Sequence, residues 1–397
     1  MFSKEMYELG NTRSAIRELF EYGKLRADIV GKENVFDFSI GNPSVPAPEC
    51  IHGAIEEIFQ NEDSCSIHGY TSAQGDLSVR QGLADYMSSK YSVQLRADNF
   101  YMTCGAAASL SICFRALTES KKDEFISIAP YFPEYKVFVE AAGAGFRVVP
   151  PDMRQFQINF SELEKTINEN TKAIIINSPN NPSGAVYSAA TIQNLCDLLK
   201  LKSSEYKHPI FIISDEPYRE IVYDRVVVPF IPKYYDNTIV CYSYSKALSL
   251  PGERIGYILV PDKAEKSREI YLAVCGAGRA LGYVCAPSLF QKVILKCIGK
   301  TSNMDVYRTN RDLLYNKLTS LGYDCVKPEG AFYLFVKALE SDAVAFCEKA
   351  KQLDLLLVPG DGFGCPGYVR ISYCVAKAMI ERSFKAFEKL KDAYIKE

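Results

Sequence analysis

The chain has 397 residues, 48% hydrophobic and 24% charged, the composition of a globular protein large enough for about two cores. Its 46 Lys and Arg against 48 Asp and Glu leave a net charge of −2, so there is no basic excess to hold a nucleic acid or an anionic membrane. No apolar run is long enough to span a bilayer, and the opening MFSKEMYELGNTRS lacks the apolar centre of a secretory leader, so a cytoplasmic location is expected.

In chain order, residues 14–25 read as an amphipathic helix. From about 95 to 260, short apolar runs alternate with helical patterns: FYMTC, FISIAP, FRVVP, KAIIINSP, PIFIISDEPY, TIVCYSYSK and RIGYILVP. Several are apolar throughout, as parallel strands covered on both faces are. Between them, SELEKTI suggests a capping box of Ser161 with Glu164, and the segment from Ser188 puts Ile192, Leu195 and Leu199 on one helical face. Later, GAFYLFV and GYVRISYCV alternate like strands of a smaller antiparallel sheet. Residues 375–395 then form a second amphipathic helix, with Ile380, Phe384 and Phe387 on one stripe. The expected fold class is α/β: a large domain, 46–290, with a mainly parallel seven-stranded sheet flanked by helices, and a smaller α+β domain built from 1–45 and 291–397.

Thirteen Cys, odd in number and without a CxxC pair, read as reduced, buried thiols. Three His, at 52, 68 and 208, are too few for a His-rich metal site or a His-based triad, and no metal is expected. In open α/β sheets, ligands gather beyond the carboxyl ends of strands, so the polar residues there carry the chemistry. CGAAAS follows one strand and opens a helix whose first N–H groups suit a phosphate. Asp215 directly follows an apolar strand, where a carboxylate is costly without a cationic partner, although a helix cap would also explain it. SYSKALSLPGERIGY sets Lys246 among hydroxyls, with Arg254 eight residues later.

Taken together and in order, FSIGNPSVPAP, HGYTSAQGDLSVR, CGAAASL, PYFPEY, NSPNNPSG, SDEPYRE, SYSKALSLPGERIGY, PEGAFYLF, VPGDGFG and YVRISY resemble the aspartate aminotransferase-like branch of fold type I pyridoxal 5′-phosphate enzymes, over nearly the whole chain. The resemblance implies that Lys246 is the Schiff-base lysine and the proton carrier at the substrate Cα. Asp215 would face the pyridine nitrogen, and Tyr218 with Asn181 the phenolate oxygen. Ala106, Ala107, Ser243, Ser245 and Arg254 would hold the phosphate, joined by Tyr70 from a neighbouring subunit, and Phe132 would lie against the ring. Arg370, helped by Asn181 and Gly41, would bind the substrate carboxylate. Arg279, shortly before APS, lies near where some dicarboxylate-specific relatives place an arginine from the opposite subunit. The segment around it, CGAGRALG, also contains GxGxxxG, but it lacks a preceding strand and a suitably spaced acidic residue, which argues against a dinucleotide loop.

The implied activity is ping-pong transfer of an amino group from an L-amino acid, aspartate preferred, to a 2-oxo acid such as 2-oxoglutarate. The cofactor would cycle between pyridoxal and pyridoxamine phosphate in a homodimer with shared sites. A lyase or decarboxylase of the same fold would use the same lysine, aspartate and phosphate cup, and aromatic or branched donors stay open. A cofactor-binding regulator without chemistry is disfavoured by the intact set of Lys246, Asp215 and Arg370.

Overall fold

The structure, a computed structural model, describes residues 1–11 and 15–395. Its strands in chain order are β1 (Phe36–Asp37), β2 (Phe100–Thr103), β3 (Glu124–Ile128), β4 (Gly145–Val149), β5 (Thr171–Asn177), β6 (Phe211–Asp215), β7 (Thr238–Ser243), β8 (Gly256–Leu259), β9 (Tyr333–Lys337), β10 (Leu355–Leu356), β11 (Val358–Pro359) and β12 (Tyr368–Ser372). Strands β2 to β8 form the expected seven-stranded sheet in the order β2-β8-β7-β6-β5-β3-β4, with β8 antiparallel to both neighbours. These are the seven runs read from the sequence.

The continuous apolarity of those runs has the expected cause, burial on both faces. Along β5, Ala173 and Ile175 pack with Leu110 and Phe114 of the helix Ala106–Leu117. Ile174 and Ile176 point the other way, against Ile192, Leu195 and Leu199 of the helix Ala189–Tyr206. Ser188 caps that helix by accepting the Thr191 N–H, as expected. The other cap differs from the sequence reading. The helix Phe160–Thr166 begins one residue before Ser161, and Asn159 is its cap, accepting from the Glu162 N–H. Ser161 is already inside the first turn, where its hydroxyl cannot reach forward to the free donors.

A separate core gathers Phe38, Leu314, Phe332, Leu355, Ile380 and Phe387 around the antiparallel sheet β11-β12-β9. Both terminal segments reach it. Phe38 accepts from the Ser372 N–H through its carbonyl and donates to Leu356 O, so the stretch after β1 is stitched onto this sheet and carried over the edge of the larger one. The C-terminal helix is Lys377–Ile395, with Ile380 and Phe387 buried as its stripe requires. The N-terminal helix is Ala15–Val30; Ser14, where the reading starts it, lies outside the described residues. A short helix at Lys4–Asn11, not anticipated from the sequence, buries none of its residues. The helix Ser288–Cys297, which spans the expected boundary at 290, packs Val293 and Ile294 against Ile51, Ile58 and Leu83.

All thirteen cysteines are free. Seven are buried as expected, but Cys65 is exposed, since it sits in the short surface helix Ser64–His68. No helix among the described residues is long and apolar enough to cross a membrane. If Asn159 is the cap, Asn159→Ala lowers stability by about 1 kcal/mol while Ser161→Ala stays within about 0.5 kcal/mol of the parent, measured by urea unfolding.

Candidate active site

The carboxyl ends of β5, β6 and β7 and the start of the helix after β2 surround a cleft of about 280 Å³. It is lined by Gly41, Ala106, Ala107, Phe132, Asn181, Asp215, Tyr218, Ser243, Ser245, Lys246, Arg254 and Arg370, residues that come from seven segments of the chain.

Asp215 is the last residue of β6 and is buried. One carboxylate oxygen, Oδ2, accepts from the Tyr135 hydroxyl and from Asn177 Nδ2 at 3.3 Å. The other, Oδ1, has no hydrogen-bond partner. Burial pushes the carboxyl up to about 7; the Tyr135 hydrogen bond opposes this and the neighbouring Glu216 charge adds to it. A buried acceptor without a donor costs about 1–3 kcal/mol, so Oδ1 is a position built for a donor from outside the protein.

Ser243 ends β7 and caps the single turn Tyr244–Ala247, which directs Lys246 into the cleft. Lys246 Nζ donates to Gly41 O at 2.7 Å and lies 5.6 Å from the Phe332 ring centroid. The side chain is open to the cleft on one side and enclosed elsewhere. Burial pulls its ammonium down to about 8; the positive fields of Arg370 and Arg254 add to this, and the Cys374 thiol opposes it. Uncharged lysine is nucleophilic and basic, so this environment prepares the amine for both tasks.

At one end of the cleft, Ser243 Oγ donates to Ser245 Oγ at 2.7 Å, and Arg254 Nη1 reaches Ser245 Oγ at 3.5 Å. Beside them the helix Ala106–Leu117 opens at Gly105 without a side-chain cap. Gly105 has φ +89°, and a Cβ there would stand 2.8 Å from Arg254 Nη2, so a glycine is needed for the guanidinium to approach the helix start. Bare N–H groups, two hydroxyls and a guanidinium suit a phosphate.

At the other end, Arg370 on β12 is buried and has no carboxylate partner among the described residues. It donates to Ser39 O and, at 3.1 Å, to Asn181 Oδ1, while its Nε has no partner. The guanidinium lies over Tyr333 and Phe363, 4.7 and 5.0 Å from the ring centroids. Burial lowers its pKa from the usual arginine value, the mark of a cation placed to meet an anion.

Two residues named from the sequence lie outside this cleft. Tyr70 is 90% exposed. Arg279 is exposed in the last turn of the helix Ser267–Ala280, which also absorbs most of CGAGRALG.

The structure also adds residues that the sequence reading did not assign. Tyr333 exchanges a 2.8 Å hydrogen bond with Tyr218, and a Cβ on Gly41 would lie 2.0 Å from its hydroxyl. Asn177 and Tyr135 satisfy Asp215, and Ile16 of the N-terminal helix also lines the cleft. Tyr135 ends the segment PYFPEY, and the need of a buried Asp215 for a donor is the signal that points to it.

Residues 33–387 match the family of class I and II aminotransferases, and the chain belongs to it. It is therefore an enzyme that transfers amino groups, in a family that depends on pyridoxal 5′-phosphate. The structure is similar to the crystal structure of an aminotransferase from Eubacterium rectale, with a TM-score of 0.98, 64% identity and 99% of each chain covered. In sequence it is 30% identical to an aspartate aminotransferase of Thermotoga maritima, over 93% of this chain and 94% of that one. It is 28% identical to a probable N-acetyl-LL-diaminopimelate aminotransferase of Bacillus subtilis, over 96% of each.

In the protein without cofactor, burial brings the Lys246 amine down to about 8, so its neutral fraction should be half at that pH and continue to grow above it. Nuclear magnetic resonance of ¹³C-methylated lysines checks this: one resonance, absent in Lys246→Arg, should titrate there, whereas ordinary lysines titrate near about 10.4.

Proposed function

We propose that the cleft binds pyridoxal 5′-phosphate and exchanges amino groups between an L-amino acid and a 2-oxo acid, in a cytoplasmic homodimer. The observation that carries this reading is the buried, unpartnered Oδ1 of Asp215, opening into the same cleft as Lys246. The donor set fits the cofactor: an acceptor for a ring N–H, a lysine with a depressed pKa, and an anion cup of the size and charge of a phosphate.

When bound, the cofactor supplies an aldehyde that takes the amino group and a ring that accepts electrons released at the substrate Cα. Asp215 Oδ1 would accept from the ring N–H and hold that proton in place. Tyr218, kept in position by Tyr333, would donate to the phenolate oxygen with Asn181, and Phe132 would pack against the ring. Ala106, Ala107, Ser243, Ser245 and Arg254 hold the phosphate. Arg370, Asn181 and Gly41 would hold the substrate carboxylate and so orient its Cα–H bond, and Lys246 Nζ would take and return that proton.

Aspartate is the preferred donor, supported by the name of the Thermotoga maritima relative and by Arg279. Arg279 and Tyr70 are assigned to the partner's cleft, because both are exposed and neither lines the cleft of its own chain. In this assignment Tyr70 adds a donor to the partner's phosphate cup and Arg279 meets a side-chain carboxylate.

Lys246→Ala should abolish turnover and the yellow colour of the enzyme; retained activity would overturn the reading. Arg370→Lys, which keeps the charge but loses the fork, should raise KM for the amino acid by about tenfold or more. Half-reaction spectra over a panel of amino acids test the substrate class, with aspartate the fastest donor expected. Release of ammonia or carbon dioxide without an oxo-acid acceptor would indicate a lyase or decarboxylase instead.

A further inference from the structure

A second cavity, of about 430 Å³, opens on the opposite side of Tyr242–Tyr244 from the catalytic cleft. Its volume falls within the range of about 300–1,000 Å³ common for small-molecule pockets. The helix Leu77–Tyr91 forms one wall, the segment Arg219–Val228 another, and residues 298–301 close one side.

The polar groups inside are few and opposed. Lys90 Nζ lies 5.3 Å from the ring centroids of both Tyr86 and Tyr91, which fix it over the cavity. Glu220 accepts the Tyr242 hydroxyl through Oε2 at 2.9 Å, and its Oε1 has no hydrogen-bond partner among the described residues. Lys90 raises no ion pair with Glu220 within 4 Å, although each feels the other's charge. Of the remaining charges, Arg219 is ion-paired with Glu216 but its field also favours the charged form of Glu220, and Lys300 is exposed at the mouth. Apart from Gly299 and Thr301, the rest of the lining is tyrosine, leucine, isoleucine, methionine and valine.

We propose that this cavity is a second binding site, for a small zwitterion with an apolar body: a free α-amino acid whose ammonium meets Glu220 and whose carboxylate meets Lys90. A lone anion would leave Glu220 facing it, and a lone cation would face Lys90. A ligand with both charges meets both walls while its side chain lies on the tyrosines.

An occupant would also touch both cores. Tyr86, Tyr91 and Tyr242 pack within the core of the large sheet. The valine strip Val226–Val228 hangs from a tight turn in which Asp224 and Arg225 both have positive φ and Val226 N–H donates to Tyr223 O. That turn is tied to the other core by Tyr223 and by Arg311, which donates to Asp224 at 2.9 and 3.2 Å. Tyr242 immediately precedes Ser243, and Glu220 follows Tyr218 by two residues. A ligand here therefore bridges the two cores next to both arms of the catalytic cleft, the arrangement of a regulatory amino-acid site.

The test uses holoenzyme treated with borohydride, which fixes the cofactor on Lys246 and closes the catalytic cleft to amino acids. Closing the cleft this way relies on the proposed function; if Lys246 carries no cofactor, the visible spectrum does not change on treatment, so failure of that reading is seen separately. L-phenylalanine, added as the probe and followed by calorimetry, should bind, and Lys90→Ala and Glu220→Gln should each weaken it by about tenfold or more. Phenylpyruvate and 2-phenylethylamine, each with one of the two charges, should bind more weakly by a similar factor. No binding of L-phenylalanine, equal binding of the single-charge probes, or unchanged affinity in both variants would each overturn the proposal. Lys90 is on the surface of its helix, so Lys90→Ala should fold and keep its basal turnover.

Discussion

The site is organised around one carboxylate that the fold has buried and only half satisfied. Asp215 sits where β6 ends, between Asn177 of β5 and Cys241 of β7, and cannot move without breaking the sheet register. Two protein donors serve Oδ2 and none serves Oδ1. In the protein alone this is unfavourable: burial holds the carboxyl up to about 7, so ionisation at neutral pH is incomplete. Between its ordinary value and about 7 the folded state keeps a proton that the unfolded chain has lost, so stability falls as pH rises through that window. A cationic N–H donor reverses the balance, because a charge-assisted hydrogen bond to the ionised form is worth about 1.5–3 kcal/mol. The same feature that weakens the empty fold strengthens the loaded one.

Around that anion the cleft is cationic, with Lys246, Arg254 and Arg370 set along its length. In the proposed function the two arginines would be fixed charges for anions at opposite ends, and they disfavour a third charge on the lysine between them. Burial is the larger cause, and the arginine fields add to it. An amine near neutrality can then both bind covalently and carry a proton, while the arginines stay charged for recognition. The small sheet takes part directly, since β12 delivers Arg370 and β9 delivers Tyr333, and the stretch after β1 lays Gly41 over Lys246.

Much of this was legible in the sequence because the large sheet writes its strands as continuous apolar runs, and a polar residue at the end of such a run stands out. Asp215 and Ser243 are of that kind, Lys246 follows in the turn after β7, Arg254 stands just before β8, and the helix start at Ala106 closely follows its strand. Tyr333 was not legible, since a tyrosine inside an alternating strand looks the same whether it fills a core or supports Tyr218. Tyr135 differed only in its partner, which the fold supplies from 80 residues away. The cap at Asn159 was missed because SELE two residues later satisfies the same pattern, and only backbone geometry decides which residue stands outside the helix. Tyr70 and Arg279 were named for tasks that a single chain cannot perform, and their exposure is what those tasks would require.

The most direct measurement of the central claim is the protonation state of the cofactor's ring nitrogen, read by ¹⁵N nuclear magnetic resonance of the holoenzyme prepared with labelled cofactor. If Asp215 Oδ1 is the acceptor for that N–H, the nitrogen is protonated at neutral pH and loses its proton in Asp215→Asn. A nitrogen that is unprotonated in the parent enzyme, or equally protonated in both, would contradict the role given to Asp215.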